Sequence, residues 1–148
     1  MGTTSAVRRA GGVIAALALV LTLVGCRPPA GLVGSYRVTG LYSAEQVLVP
    51  VLPGTTITLQ FTADGRVSGK ACNSYGGSWT VAAGRNPLTI GNLYSTDMAC
   101  SEPDGVMGQE QHFLGRLAQA RNFTRQGTGL SLIAGGEPSQ RLIEAEAV

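Results

Sequence analysis

Thr56-Ile57-Thr58-Leu59-Gln60-Phe61, then Ala63-Asp64-Gly65, then Arg66-Val67-Ser68-Gly69-Lys70, is the stretch whose reading decides the fold. Ile57, Leu59 and Phe61 alternate with Thr56, Thr58 and Gln60, and a period of two sends neighbouring side chains to opposite faces of a strand. Asp64-Gly65 directly after that run marks a hairpin turn, because both residues tolerate positive φ. Residues 66–70 are then the return strand. Upstream, Tyr36, Val38 and Gly40 alternate with Ser35, Arg37 and Thr39 to give an earlier strand. Downstream, short strands fit residues 78–81, 88–90, 123–126, 130–133 and 141–144, with turns at Gly127-Thr128-Gly129 and from Gly135 to Pro138.

One segment follows a different period. From Pro103 to Arg121 the apolar positions are Val106, Met107, Phe113, Leu114 and Leu117, with Glu110 and Gln111 between them, a helical spacing. Ser101 with Asp104 three residues later resembles a capping arrangement, and proline is tolerated in a first turn. A single apolar stripe has to pack on something. The expected fold is therefore α+β and β-rich: a twisted antiparallel sheet closing toward a small barrel, with one helix covering an open side or end.

The N-terminus carries an address. Arg8 and Arg9 precede an apolar run from Val13 to Val24, which ends in Leu23-Val24-Gly25-Cys26. A dozen apolar residues suit a secretory signal and fall short of the ~20 that span a bilayer. Ala10-Gly11-Gly12 after the arginine pair favours general export over the twin-arginine route. Cysteine directly after Leu-Val-Gly looks like a lipobox, in which Cys26 is diacylated and becomes the first mature residue. Residues 1–25 then form the signal peptide, residues 26–33 a lipidated tether and residues 34–148 the folded domain. Two acyl chains hold stably where one binds reversibly. The expected location is the extracytoplasmic side of a cell membrane.

Removing the signal changes the charge. The chain has 11 Lys+Arg against 9 Asp+Glu, and loss of Arg8 and Arg9 leaves nine of each. A neutral domain without a basic stripe gives nucleic-acid binding no electrostatic support. With Cys26 committed to lipid, Cys72 and Cys100 remain. In an oxidising envelope they read as a disulfide, whose closed loop is worth about 3.5 kcal/mol in the entropy model. Two buried thiols or a metal site are the alternatives. The metal reading is weak because His112 is the lone histidine and neither cysteine has a second one two to four residues away.

The same residues carry a family resemblance. Asp64-Gly65-Arg66-Val67-Ser68-Gly69, Cys72-Asn73-Ser74-Tyr75-Gly76-Gly77-Ser78-Trp79, Leu88-Thr89-Ile90 and Ser95-Thr96-Asp97-Met98-Ala99-Cys100 resemble the META domain of HslJ-like bacterial envelope lipoproteins. The likeness continues through Glu102-Pro103, Met107, Gln109-Glu110 and Phe113-Leu114, with Asn73, Tyr75, Trp79 and Met98 as its family-motif residues. It implies a compact β-rich fold with a helix, an envelope location, a role in stress tolerance and no defined enzymatic activity. The chain departs from the family pattern at Lys70-Ala71.

Catalytic constellations are thin. Ser74, Asp97 and His112 are a nominal triad inventory, but Ser74 lacks the Gly-x-Ser-x-Gly elbow. Asp97 and Glu102 are single carboxylates beside Cys100, not an acid-base pair. Asn73 reads as a turn residue bonding backbone, and Tyr75 and Trp79 as core or rim aromatics. The expectation is a monomeric, non-enzymatic domain without cofactor or metal, binding a protein or cell-wall partner or supporting envelope stress tolerance. The rival is a carrier holding a small apolar ligand in a barrel cavity.

Overall fold

β1 (Gly34–Tyr42) runs through the middle of the sheet, because both of its edges find partners. A computed structural model describes residues 1–2, 31–84 and 87–148. Cys26 and the apolar run before it lie outside the described residues. On one edge the first half of β1 pairs with β3 (Thr58–Phe61) and its second half with the short β2 (Leu48–Pro50). On the other edge it pairs with β9 (Arg141–Ala147), which brings the C-terminus back to the first strand. The remaining strands are β4 (Arg66–Lys70), β5 (Ser74–Val81), β6 (Leu88–Ser95), β7 (Ala120–Gln126) and β8 (Gly129–Ala134). They complete an antiparallel sheet of order β6-β5-β4-β3-β1-β9-β8-β7 that curls into a half-barrel, with β2 attached to β1 alone.

The alternation read from the sequence is what the pleat buries. In β3, Leu59 and Phe61 are buried while Thr58 and Gln60 face out, and Phe61 pairs with Val67 across the hairpin. Gly65 closes that turn at φ 83°, where any Cβ would be strained. Inside the curl, Phe61 sits edge-on to Tyr36 at 6.3 Å and to Trp79 at 5.6 Å between ring centres. Leu32, Leu59, Leu130, Leu132, Leu142 and Ile143 fill the space around them and are fully buried. The interior that the carrier reading needs to be open is thus occupied by side chains.

α1 (Val106–Gln119) lies against the sheet through Val106, Glu110, Phe113 and Leu117. It starts three residues later than the expected Pro103. Gly105 takes the N-cap position in the left-handed conformation, at φ 85°, with no side-chain cap, so the Ser101 and Asp104 arrangement does not form. It also ends earlier, since Ala120 is already extended and Arg121 belongs to β7. Strand boundaries moved as well: β6 runs on to Ser95, β7 starts at Ala120 and β9 runs on to Ala147. β5 begins at Ser74 rather than residue 78, because a bulge between Gly76 and Ser78 carries the ladder with β6 past the two glycines. β2 was not expected at all.

Candidate functional site

The family-motif residues gather around the turn from β4 to β5. Lys70 N–H donates to Thr58 Oγ1 at 2.9 Å and Ala71 N–H to Asn73 O at 2.9 Å, which folds the chain back within three residues. Cys72 is joined to Cys100 as a disulfide, with Cα atoms 6.2 Å apart. Asn73 is 1% exposed, and a buried amide has to find partners for two donors and an acceptor. Its Oδ1 accepts from Met98 N–H at 2.8 Å and from the Thr96 hydroxyl at 3.0 Å. Its Nδ2 donates to Met98 O at 3.1 Å and to Glu110 Oε1 at 3.1 Å. Its own N–H donates to Glu110 Oε2 at 2.6 Å. One side chain therefore ties the β4–β5 turn, the loop after β6 and α1 together. Met98 takes part through its backbone, while its side chain is 57% exposed.

Tyr75 and Trp79 are core residues with a polar handle each. Tyr75 donates to Thr58 O at 2.7 Å and stands edge-on to Phe113 at 5.2 Å, and burial pushes its phenol well above the usual tyrosine range. Trp79 Nε1 donates to Thr62 O at 3.1 Å. Gly69 is the residue that lets the first of these bonds form. A Cβ there would lie 2.0 Å from Thr58 O and 2.6 Å from Tyr75 Oη, closer than any real side chain. The Gly-x-x-Cys-Asn-x-Tyr spacing is thus one packed unit.

Glu110 is a member of the likeness to which reading the sequence gave no role. A signal existed: it lies four residues after Val106 and three before Phe113, on the apolar stripe itself. A glutamate 6% exposed in such a place needs donors, and Asn73 supplies two.

The nominal triad does not assemble. Ser74 is exposed at the start of β5 and Asp97 in the loop after β6. His112 is exposed on α1, where its Nε2 accepts from Arg116 Nε at 3.0 Å. No hydrogen bond among the described residues links the three. Nor, among the described residues, do three His, Cys, Asp or Glu side chains gather as a metal-ligand set.

A second feature lies where β2 meets α1. Leu41, Val49, Pro50 and Leu52 on one side and Gly105, Gly108, Gln109 and His112 on the other line a cleft of about 260 Å³. Gln109 holds its walls together: Oε1 accepts from Leu52 N–H at 2.6 Å and Nε2 donates to Thr55 Oγ1 at 3.0 Å. The wall belongs to an uncharged run, Val47-Leu48-Val49-Pro50-Val51-Leu52-Pro53, in which Val47, Leu48 and Val49 are 60%, 43% and 50% exposed. Adjacent residues of α1 therefore clamp opposite parts of the chain, Gln109 the segment after β2 and Glu110 the turn before β5.

Half-barrel, packed helix, disulfide and internally satisfied polar turn together define a small β-rich α+β domain, with its motif residues consumed in holding it closed. The META domain family matches residues 30–146, and the chain belongs to that family. Three solved structures share the fold. An NMR structure of a protein from Burkholderia xenovorans has a TM-score of 0.63 at 23% identity, over 79% of this chain and 83% of that one. A crystal structure of a DUF4847 family protein from Bacteroides vulgatus has a TM-score of 0.53 at 17% identity, over 79% of this chain and 94% of that one. A further NMR structure gives 0.52 at 18%, over 76% and 88%. No curated protein matches the chain.

Proposed function

We propose that this protein is a non-enzymatic cell-envelope lipoprotein, anchored through acyl chains on Cys26, whose META domain binds a protein or cell-wall partner or supports envelope stress tolerance. The observation that carries the reading is Leu23-Val24-Gly25-Cys26 at the end of an apolar run, ahead of a domain stapled by Cys72–Cys100. A disulfide in a small domain fits an oxidising compartment. The saturated bonding of Asn73 and Glu110 supports a binding role over a chemical one, because the motif polar groups are committed to one another. The filled interior counts against the apolar carrier. Metabolic labelling with a fatty acid tests the anchor: the parent takes up label and Cys26→Ser does not. Equal labelling of both refutes the reading.

A further inference from the structure

The cleft between β2 and α1 combines three properties that a docking site for a polypeptide needs. It is concave and apolar. Its lining carries no Asp, Glu, Lys or Arg side chain, and Gly108 leaves bare helix as part of its floor, with nothing within 4 Å of where a Cβ would stand. At about 260 Å³ it is below the size of a pocket for a drug-sized ligand and suits one bulky side chain used as an anchor. An open strand edge borders it. Ser43 N–H donates to Val47 O and Val51 N–H to Thr39 O, so by antiparallel alternation Val49 also faces β1. Leu48 N–H and the carbonyls of Leu48 and Pro50 then point away from β1, and β2 pairs with no other strand among the described residues.

The place where the anchor leaves the domain says what the cleft can meet. Arg125 Nη1 donates to Gly31 O at 3.0 Å and Tyr36 Oη to Leu32 O at 2.9 Å, which fixes the exit of the tether beside the start of β1. β2 pairs at the other end of that strand, on Gly40, Leu41 and Tyr42, about 25 Å away at ~3.3 Å per residue. The six residue steps from Cys26 to Leu32 reach at most about 22 Å. The tether is therefore attached at one end of β1 and the cleft lies at the other.

We propose that the cleft receives a bulky apolar side chain from an extended segment of another envelope protein, which pairs its backbone along the open edge of β2. This geometry rests on the anchor reading above. The test is made on the full lipidated chain in native membranes, with p-benzoylphenylalanine in place of Val47 as photo-crosslinker. The expected result is an adduct with one other protein, through a peptide bearing an aromatic or large aliphatic residue. Gly108→Leu fills the cleft and lowers adduct yield at least tenfold without lowering the melting temperature. Gly115→Leu, about 10 Å further along α1 and equally open around its Cβ, changes the yield less than twofold. Should Gly108→Leu melt earlier, Val49→Arg takes its place with the same expectation. Adducts with lipid alone, with a second copy of this chain or with nothing overturn the proposal, and so does an adduct that Gly108→Leu leaves undiminished. Fatty-acid label is read on the same cells. Loss of label with the adduct intact refutes the anchor alone, and label without adduct refutes the docking alone.

Discussion

Replacing Glu110 by glutamine keeps the shape of the side chain and removes one of its two acceptors. In the parent, the carboxylate takes Asn73 N–H at 2.6 Å and Asn73 Nδ2 at 3.1 Å, with the glutamate 6% exposed. Glutamine can satisfy one of these donors and must turn its own NH₂ toward the other. One charge-assisted bond is lost and a buried donor is stranded, a cost of about 2 kcal/mol. Glu110→Ala strands both donors but also relieves the desolvation of a buried carboxylate, which leaves a net cost of about 3 kcal/mol. At ~4 °C per kcal/mol for a domain of this size, the melting temperature falls by about 8 °C and 12 °C respectively.

Denaturant titration at constant m-value measures both losses, and a double-mutant cycle with Asn73→Ala isolates the shared part. If Asn73 and Glu110 act as one unit, the double variant costs far less than the sum of the singles, with a coupling of about 2 kcal/mol. Asn73→Asp is the harsher companion, since it sets a second carboxylate against the first at the place where Nδ2 stood. It should be the least stable of the set at neutral pH. A Glu110→Gln protein that loses less than about 0.5 kcal/mol, or a cycle additive within that margin, refutes the clamp.

Three further outcomes follow from the same contacts. Burial holds the Tyr75 phenol well above its ordinary value, and Tyr36 is raised by burial against the pull of Arg125. The unfolded chain releases these protons near pH 10 while the folded one keeps them, so stability is intact below pH 10 and falls above it by up to ~1.4 kcal/mol per pH unit and tyrosine. Tyr75→Phe should make that alkaline decline shallower in denaturant titrations between pH 8 and 11.5, and an unchanged slope argues against it. Among the glycines, Gly69→Ala should cost about 3 kcal/mol because its Cβ meets Thr58 O at 2.0 Å, whereas Gly108→Ala should gain about 1 kcal/mol from helix propensity in open space. Equal melting temperatures for the two variants would refute that contrast. Cys72→Ser should lower stability by about 3 kcal/mol while leaving fatty-acid label on Cys26 unchanged, and a variant as stable as the parent would deny the disulfide a structural role.

Elements whose own side chains sort into faces were legible in the sequence. Ile57, Leu59 and Phe61 alternate, Asp64-Gly65 turns, and Phe113 with Leu117 repeats at helical spacing, so the hairpin, the β-rich class and the helix all follow from local pattern. β2 was illegible because Val47 to Pro53 is apolar throughout and holds two prolines, which erases the period and argues against a strand. What makes it one is remote: the bulge at Val38 and Gly40 turns Leu41 inward, and Gly40 leaves room for Leu48, whose Cδ1 would stand 2.7 Å from any Cβ there. The start of α1 was misplaced for a related reason. Ser101 and Asp104 have the residue types of a cap, but the Cys72–Cys100 bond fixes where that loop runs, and Gly105 alone can take the left-handed turn that launches the helix.

Of the candidate site, residue identities could be read but their purpose could not. Asn73 announces a turn, yet its partners Thr96, Met98 and Glu110 lie 23 to 37 residues away, and only the assembled sheet brings them within 3.1 Å. The same holds for the cleft, where the segment after β2 meets α1 through Gln109 across 57 residues of sequence. The two clamps have opposite consequences. Asn73 and Glu110 spend their polar groups on each other, so their motif is explained by closure of the domain and needs no ligand. Gln109 joins without filling: it ties the segment after β2 to a helix floored by Gly108, and the apolar cleft between them stays open, an opening that packing leaves unexplained.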